Sequence, residues 1–245
     1  MDRLKKQLKL ERPLTPAELF LLQQDIAGCD ARRRGGGQER LLEAGCTWVL
    51  VKTRTDIGRW PEPGEELTLS TWPVRGRLGL HPRAYELCDA AGERLLLTES
   101  LWAIMDVEDR TMISGESRGI ELEGVEDGRL SPMRRILVPE GGAFFDLTPA
   151  PEQIDENGHM NNAAYLDAAA ALLPEELRGY RLRGISVDYE HELLPGRHAQ
   201  VRVVRRGDCC FFEGTMEGRV CFRLSERFAV EHSLDERLAL ITEFE

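Results

Sequence analysis

One order of elements occurs twice in this chain: a single helical segment, then a run of strand-like segments. The first helix opens at Thr15-Pro16-Ala17-Glu18. Thr15 can cap, Pro16 suits the first helical position, and Glu18 can reach back to the cap. It is expected to end near Arg33, before Gly35-Gly36-Gly37. Strands rich in β-branched, leucine and aromatic residues are expected at Trp48–Val51, Glu66–Trp72, Pro82–Cys88 and Leu95–Asp106. Leu4–Leu10 reads as a short strand or an extended arm. In the second half a helix follows His159, with strands at Leu182–Glu190, Ala199–Arg205, Cys210–Met216 and Val220–Ala229. The turns match too: Pro63-Gly64 and Pro195-Gly196 each lead into an alternating strand. A repeat on this scale points to a duplicated unit.

A sheet with one apolar face must cover it. A bent antiparallel sheet wrapped around a central helix, the hotdog arrangement, meets that need. The expected class is therefore α+β, a tandem double hotdog of two bent antiparallel sheets, each around its own helix. Residues 1–108 form the first unit, 143–245 the second, and the polar, poorly periodic stretch 109–142 links them and covers one side of the sheet.

The net charge of −11 disfavours nucleic acid as a partner, because a phosphate backbone attracts positive surfaces. No run approaches the roughly 18 apolar residues of a membrane span. The first residues lack the apolar core of a signal peptide, so a cytoplasmic protein is expected. The six cysteines form no C-x-x-C pair and read as small buried hydrophobes.

The chemistry-bearing types cluster at one place. Asp155, Asn157 and His159 stand two residues apart, ahead of a segment, Ala163–Leu173, that is apolar nearly all round and is expected to be buried. Backbone N–H groups of Gly158 to Met160, near the helix start, could stabilise an oxyanion. An apolar substrate could lie along that helix. Asp and Asn at such a place also serve ordinarily as turn and cap residues, and the pattern alone leaves that alternative open. No G-x-S-x-G elbow or phosphate loop is present, and Pro195 stands where a zinc H-E-x-x-H would need its second histidine. No metal or organic cofactor is expected.

The run Asp155-x-Asn157-x-His159-x-Asn161-Asn162-x-x-Tyr165 resembles the signature of the acyl-acyl carrier protein (ACP) thioesterases, double-hotdog enzymes of plants and bacteria. Trp48-Val49-Leu50, Arg59-Trp60-Pro61-x-x-Gly64, Thr71-Trp72, Trp102 and Asp106-x-x-x-Arg110 look like that family's first hotdog. Val187-Asp188-Tyr189-Glu190-His191-Glu192 looks like a strand of its second. The resemblance implies a catalytic group of Asp155, Asn157, His159 and Glu192, and hydrolysis of fatty acyl-ACP in fatty acid biosynthesis. It implies an acidic carrier protein as partner, docked on a local arginine patch such as Arg134, Arg135, Arg181 and Arg183, with the enzyme a monomer or homodimer. Plant members carry a cysteine after the glutamate where this chain has Leu193, which rules out a thiol mechanism at that position. Asp188 stands where a glutamate is usual, and Trp60 where a tyrosine is. Acyl-CoA thioesterase, hotdog dehydratase and a non-catalytic acyl-binding module are the alternatives.

Overall fold

The computed structural model describes residues 2–76, 78–127 and 133–229. The first half contains β1 (Leu4–Lys9), α1 (Pro16–Arg33), α2 (Gln38–Glu43), β2 (Cys46–Ile57), β3 (Glu66–Pro73), β4 (Leu80–Asp89) and β5 (Arg94–Asp106). A two-residue β6 (Met112–Ile113) follows. The second half contains β7 (Ala143–Leu147), α3 (Ala164–Leu172), β8 (Arg181–Tyr189), β9 (Ala199–Arg206), β10 (Cys209–Met216) and β11 (Arg219–Ala229). All strand pairs are antiparallel, in the order β1-β3-β4-β5-β2-β8-β11-β10-β9-β7, with β6 beside β5. Each half packs one helix on its sheet, which is the double-hotdog arrangement.

Helix α1 begins as its sequence dictates. Thr15 accepts from the Glu18 N–H at 3.2 Å, and the Glu18 carboxylate accepts from the Thr15 N–H at 2.9 Å. Its apolar face sets Leu19, Phe20 and Ile26 against Leu67, Leu69 and Leu87 of the sheet. Each such side chain contributes roughly 1.5–3 kcal/mol by leaving water. On the sheet's other face, Trp72, Val74 and Ala84 pack against Val125, and Trp72 Nε1 donates to Asp127 at 3.1 Å. The stretch after β5 thus covers the outer face of the first half.

The halves meet where β2 pairs β8, from Lys52 opposite Asp188 to Asp56 opposite Gly184. Lys52 Nζ lies 2.9 Å from Asp188 Oδ1, and the Ile136 N–H donates to Asp188 Oδ2 at 2.8 Å. Asp188, standing where glutamate was expected from the resemblance, is therefore a fully used buried carboxylate at the seam.

Two elements lack a strong local signal. Strand β7 is five residues on the sheet edge, and α2 is six residues of mostly polar type anchored by the buried Leu41. The second helix departs from expectation in another way. Ala163 to Leu166, Ala168 and Ala169 are buried, but Asp167, Ala170 and Ala171 face solvent. An alanine stripe carries no polar face to mark its outer side, so composition alone overstates the burial.

Glu226 is an exception to the apolar lining of the second half. It is 5% exposed, opposite Ile185 and Cys210, with Leu224 and Phe228 beside it on the same face of β11. Burial is the one influence that shifts its carboxyl, with no hydrogen bond or charge among the described residues offsetting it. Burial pushes its carboxyl up to about 7. The folded state therefore holds this proton more tightly than the unfolded chain, and the associated stability is lost as pH rises from about 4.5 to about 7. Glu226→Leu should be more stable than the parent at pH 8 by roughly 3 kcal/mol, with the gap shrinking toward pH 5. Urea denaturation at the two pH values checks this; an equal gap at both would show that the carboxyl does not titrate on unfolding.

Candidate functional site

The segment from Asp155 to Asn162 is a tight loop rather than a helix start. The Asp155 N–H donates to the His159 carbonyl at 3.0 Å, and the Gly158 N–H to the Asp155 carbonyl at 3.0 Å. Gly158 has φ +79°, a conformation that glycine adopts without strain. Asp155 Oδ1 accepts from the Asn157 N–H at 2.9 Å, so this carboxylate does turn work as well. Asn161 braces the turn that leads into α3. Its Oδ1 accepts from the Ala163 N–H at 2.8 Å and its carbonyl from the Ala164 N–H at 2.9 Å. The N-cap position of α3 is Ala163, which has no capping side chain, so neither Asp155 nor Asn157 caps this helix.

A second segment is pinned against this loop. The Met160 N–H donates to the Leu193 carbonyl at 2.8 Å, and the buried Tyr165 hydroxyl reaches the Leu193 backbone. Tyr165 is wedged edge-on between Tyr189 and Phe222, with ring centroids 5.6 and 4.7 Å away. Burial raises the Tyr165 hydroxyl well above its ordinary value, so it stays neutral. Leu193 is fully buried, and this anchors the preceding Glu192.

His159 consequently stands between two carboxylates. Its Nδ1 is 3.7 Å from Asp155 Oδ1 and 3.3 Å from the Met160 carbonyl. Its Nε2 is 3.8 Å from Glu192 Oε1. The other Glu192 oxygen accepts from Arg110. Met160's carbonyl can only accept, so that contact requires the proton on Nδ1 and leaves Nε2 free to take one. Asp155, His159 and Glu192 are brought together; Asn157 is exposed at the rim, its side chain bonded to none of them.

The oxyanion expectation needs correction. The N–H groups of Gly158 and Met160 are already donated within the fold, and the dipole of α3 begins beyond them. Of that trio only His159 keeps a backbone N–H with no acceptor among the described residues.

All four candidate residues line a cavity of about 1170 Å³. It extends into the first half, not along α3. Tyr165 is the α3 residue on its wall, whereas α1 contributes Gln24, Ala27, Gly28 and Ala31, and the facing sheet contributes Leu50 and Trp102. The small residues at 27, 28 and 31 share one face of α1 at helical spacing, a signal that could have been read from the sequence. Arg110, Asn161 and the Tyr165 contact are the other participants that residue type alone did not single out. No group of metal-ligating side chains occurs among the described residues.

Comparison with known proteins places these features in a family. A family model described as the acyl-ACP thioesterase N-terminal domain matches residues 7–116, and its C-terminal counterpart matches residues 143–220. A chloroplast acyl-[acyl-carrier-protein] hydrolase of Cuphea viscosissima is 26% identical over 157 residues, covering 59% of this chain and 38% of its own length. The chain thus spans about two fifths of that relative. The solved acyl-ACP thioesterase of Bacteroides thetaiotaomicron superposes with a TM-score of 0.82 at 22% identity, covering 93% of this chain and 98% of its own. The 12:0-ACP thioesterase of Umbellularia californica gives 0.79 at 17% identity, covering 94% and 98%. These two show the same fold.

The helix assignments can be tested by stability. A Cβ at Gly28 would meet nothing within 4 Å, so Gly28→Ala should stabilise the protein by about 0.5–1 kcal/mol through helix propensity alone. Ala169→Leu forces bulk into a packed core and should cost about 1–3 kcal/mol. Chemical denaturation reads both; a tolerated leucine at 169 would place cavity beside α3 after all.

Proposed function

The chain belongs to the acyl-ACP thioesterase family, and from that premise we propose that it hydrolyses the thioester of a fatty acyl chain carried on acyl carrier protein. The observation that carries this reading is His159 held between Asp155 and Glu192 at a wall of a large cavity. The thioester carbonyl would sit beside His159, and the acyl chain would extend along α1 between the helix and the sheet. Water accepted by both His159 Nε2 and Glu192 Oε1 fits the 3.8 Å spacing of those atoms. It attacks the carbonyl carbon, and its proton passes to the His159–Glu192 pair. Asp155, 3.7 Å from Nδ1, orients the imidazole. Collapse of the tetrahedral intermediate breaks the C–S bond, and the proton held by the pair returns to the departing thiolate. Asn157, at the rim, contacts the carrier arm. Of the Gly158 to Met160 N–H groups, that of His159 has no acceptor among the described residues and is the one offered to the oxyanion.

Leu193 lends nothing chemical to this scheme, since its side chain is sealed in the core. The carrier docks through exposed arginines, for which Arg134 and Arg181 are better suited than Arg135 and Arg183. Arg135 pairs with Glu190, and Arg183 donates to the Gly58 carbonyl.

Asp155→Asn and Glu192→Gln should each lower turnover by about 100- to 10,000-fold with melting temperature little changed, as expected for a positioned base and its partner. Steady-state assays on a panel of acyl-ACPs and matched acyl-CoAs check this, and near-parental kcat in either variant removes that residue from the chemistry. Charge reversal at Arg134 or Arg181 should raise KM for acyl-ACP and leave acyl-CoA unaffected. Equal or better kcat/KM on acyl-CoA would transfer the activity to that carrier.

A further inference from the structure

Glu192 belongs to the second half, yet the cation that grips it belongs to the first. Arg110 lies in the turn after β5, 82 residues away in sequence, and its guanidinium donates to Glu192 Oε2. The turn is built to present it. Asp106 Oδ1 accepts the N–H groups of Glu108 at 2.9 Å and Asp109 at 3.1 Å, and the Asp106 carbonyl accepts the Arg110 N–H at 3.1 Å. Arg118 holds the other Asp106 oxygen. The Asp109 and Glu108 N–H groups keep the Asp106 carboxyl below its ordinary range, so the scaffold remains ionised. Arg110 itself sits at φ +53°, a left-handed conformation uncommon outside glycine and asparagine. Backbone strain of this kind persists where surrounding bonds over-determine it.

The neighbouring charges make the pairing selective. Glu190, two residues before Glu192, is taken by Arg135 and Arg223, and Asp188 by Lys52. Among the described residues, Glu192 meets the Arg110 guanidinium and the His159 imidazole, with Asp155 across the imidazole and the neutral Tyr165 hydroxyl behind. Both Arg110 and Glu192 line the cavity.

Resting on the thioesterase reading above, we infer that Arg110 is a positioning residue: it occupies Glu192 Oε2 so that Oε1 alone faces His159 and the attacking water. Without it, the side chain of Glu192, 33% exposed, is free to rotate away from the imidazole. The first half therefore supplies part of the catalytic geometry as well as the acyl cavity.

The test is a cycle of Arg110→Met, Arg110→Lys, Glu192→Gln and the double variant Arg110→Met with Glu192→Gln, assayed on one acyl-ACP, with thermal unfolding as the control for folding. Arg110→Met should lower kcat by about 10- to 100-fold, the scale of a misplaced reacting group, with KM within about twofold. Arg110→Lys should recover part of that loss, because a lysine keeps the charge but not the fork. In the Glu192→Gln background Arg110→Met should have no further effect on kcat. An equal kcat loss in both backgrounds, or a change confined to KM, overturns the inference and assigns Arg110 to the fold or to the carrier. Parental turnover in Glu192→Gln alone would instead remove Glu192 from the proposed chemistry, and the role of Arg110 with it.

Discussion

The pairing of β2 with β8 is the constraint on which the rest of the structure depends. Five residue pairs join two half-sheets into one, and the site draws on both sides of that seam. A slip of one residue would turn every side chain of a strand to the opposite face. Val187 and Ile185 would leave the core, and Asp188 would lose Lys52 and the Ile136 N–H together. The register is thus held by burial on one face and by a satisfied carboxylate on the other. Beyond the seam, β2 shifts register against β5 between Leu50 and Lys52, and β8 ends at Tyr189. Where β8 ends, the Glu190 and His191 N–H groups still bond the Cys221 carbonyl of β11, and the chain then carries Glu192 toward the Asp155 loop.

That stretch shows how an acidic chain keeps its carboxylates in place. Asp188, Glu190 and Glu192 alternate, and each meets a cation from a different element: Lys52 of β2, Arg135 and Arg223, and Arg110. The deeper pair, Asp188 with Lys52, knits the halves together. Glu190 is neutralised twice over. Glu192, whose side chain is the most exposed of the three, keeps one oxygen for the imidazole. Position along one strand end grades these carboxylates from structural to available, although all are acids of ordinary type.

The two helices divide the work that the repeat would seem to share equally. Helix α1 runs 18 residues with a capping box, packs one side on the sheet and turns a face of small residues to the cavity. Helix α3 is half as long, fills its sheet with buried alanines and holds Tyr165 against the Leu193 backbone. One unit provides volume and the other provides rigidity, so a duplicated architecture yields a single asymmetric site.

Local physics made much of this legible in the residues themselves. Thr15, Pro16 and Glu18 satisfy their own helix end within four positions, alternation marks the strands, and two matched Pro-Gly turns reveal the repeat. Asp155 and His159 are close in sequence, so their meeting needs only a tight turn at Gly158. Tertiary structure decided the remainder, because the deciding partners are distant in the chain. The turn that Asn161 braces ahead of α3 depends on where Leu193 holds the loop, and the exposure of Ala170 and Ala171 depends on what the sheet leaves uncovered. The cavity runs along α1 because α3 packs too closely to leave room. The grip of Arg110 on Glu192 spans 82 residues, a distance over which no periodicity, cap or turn leaves a local trace.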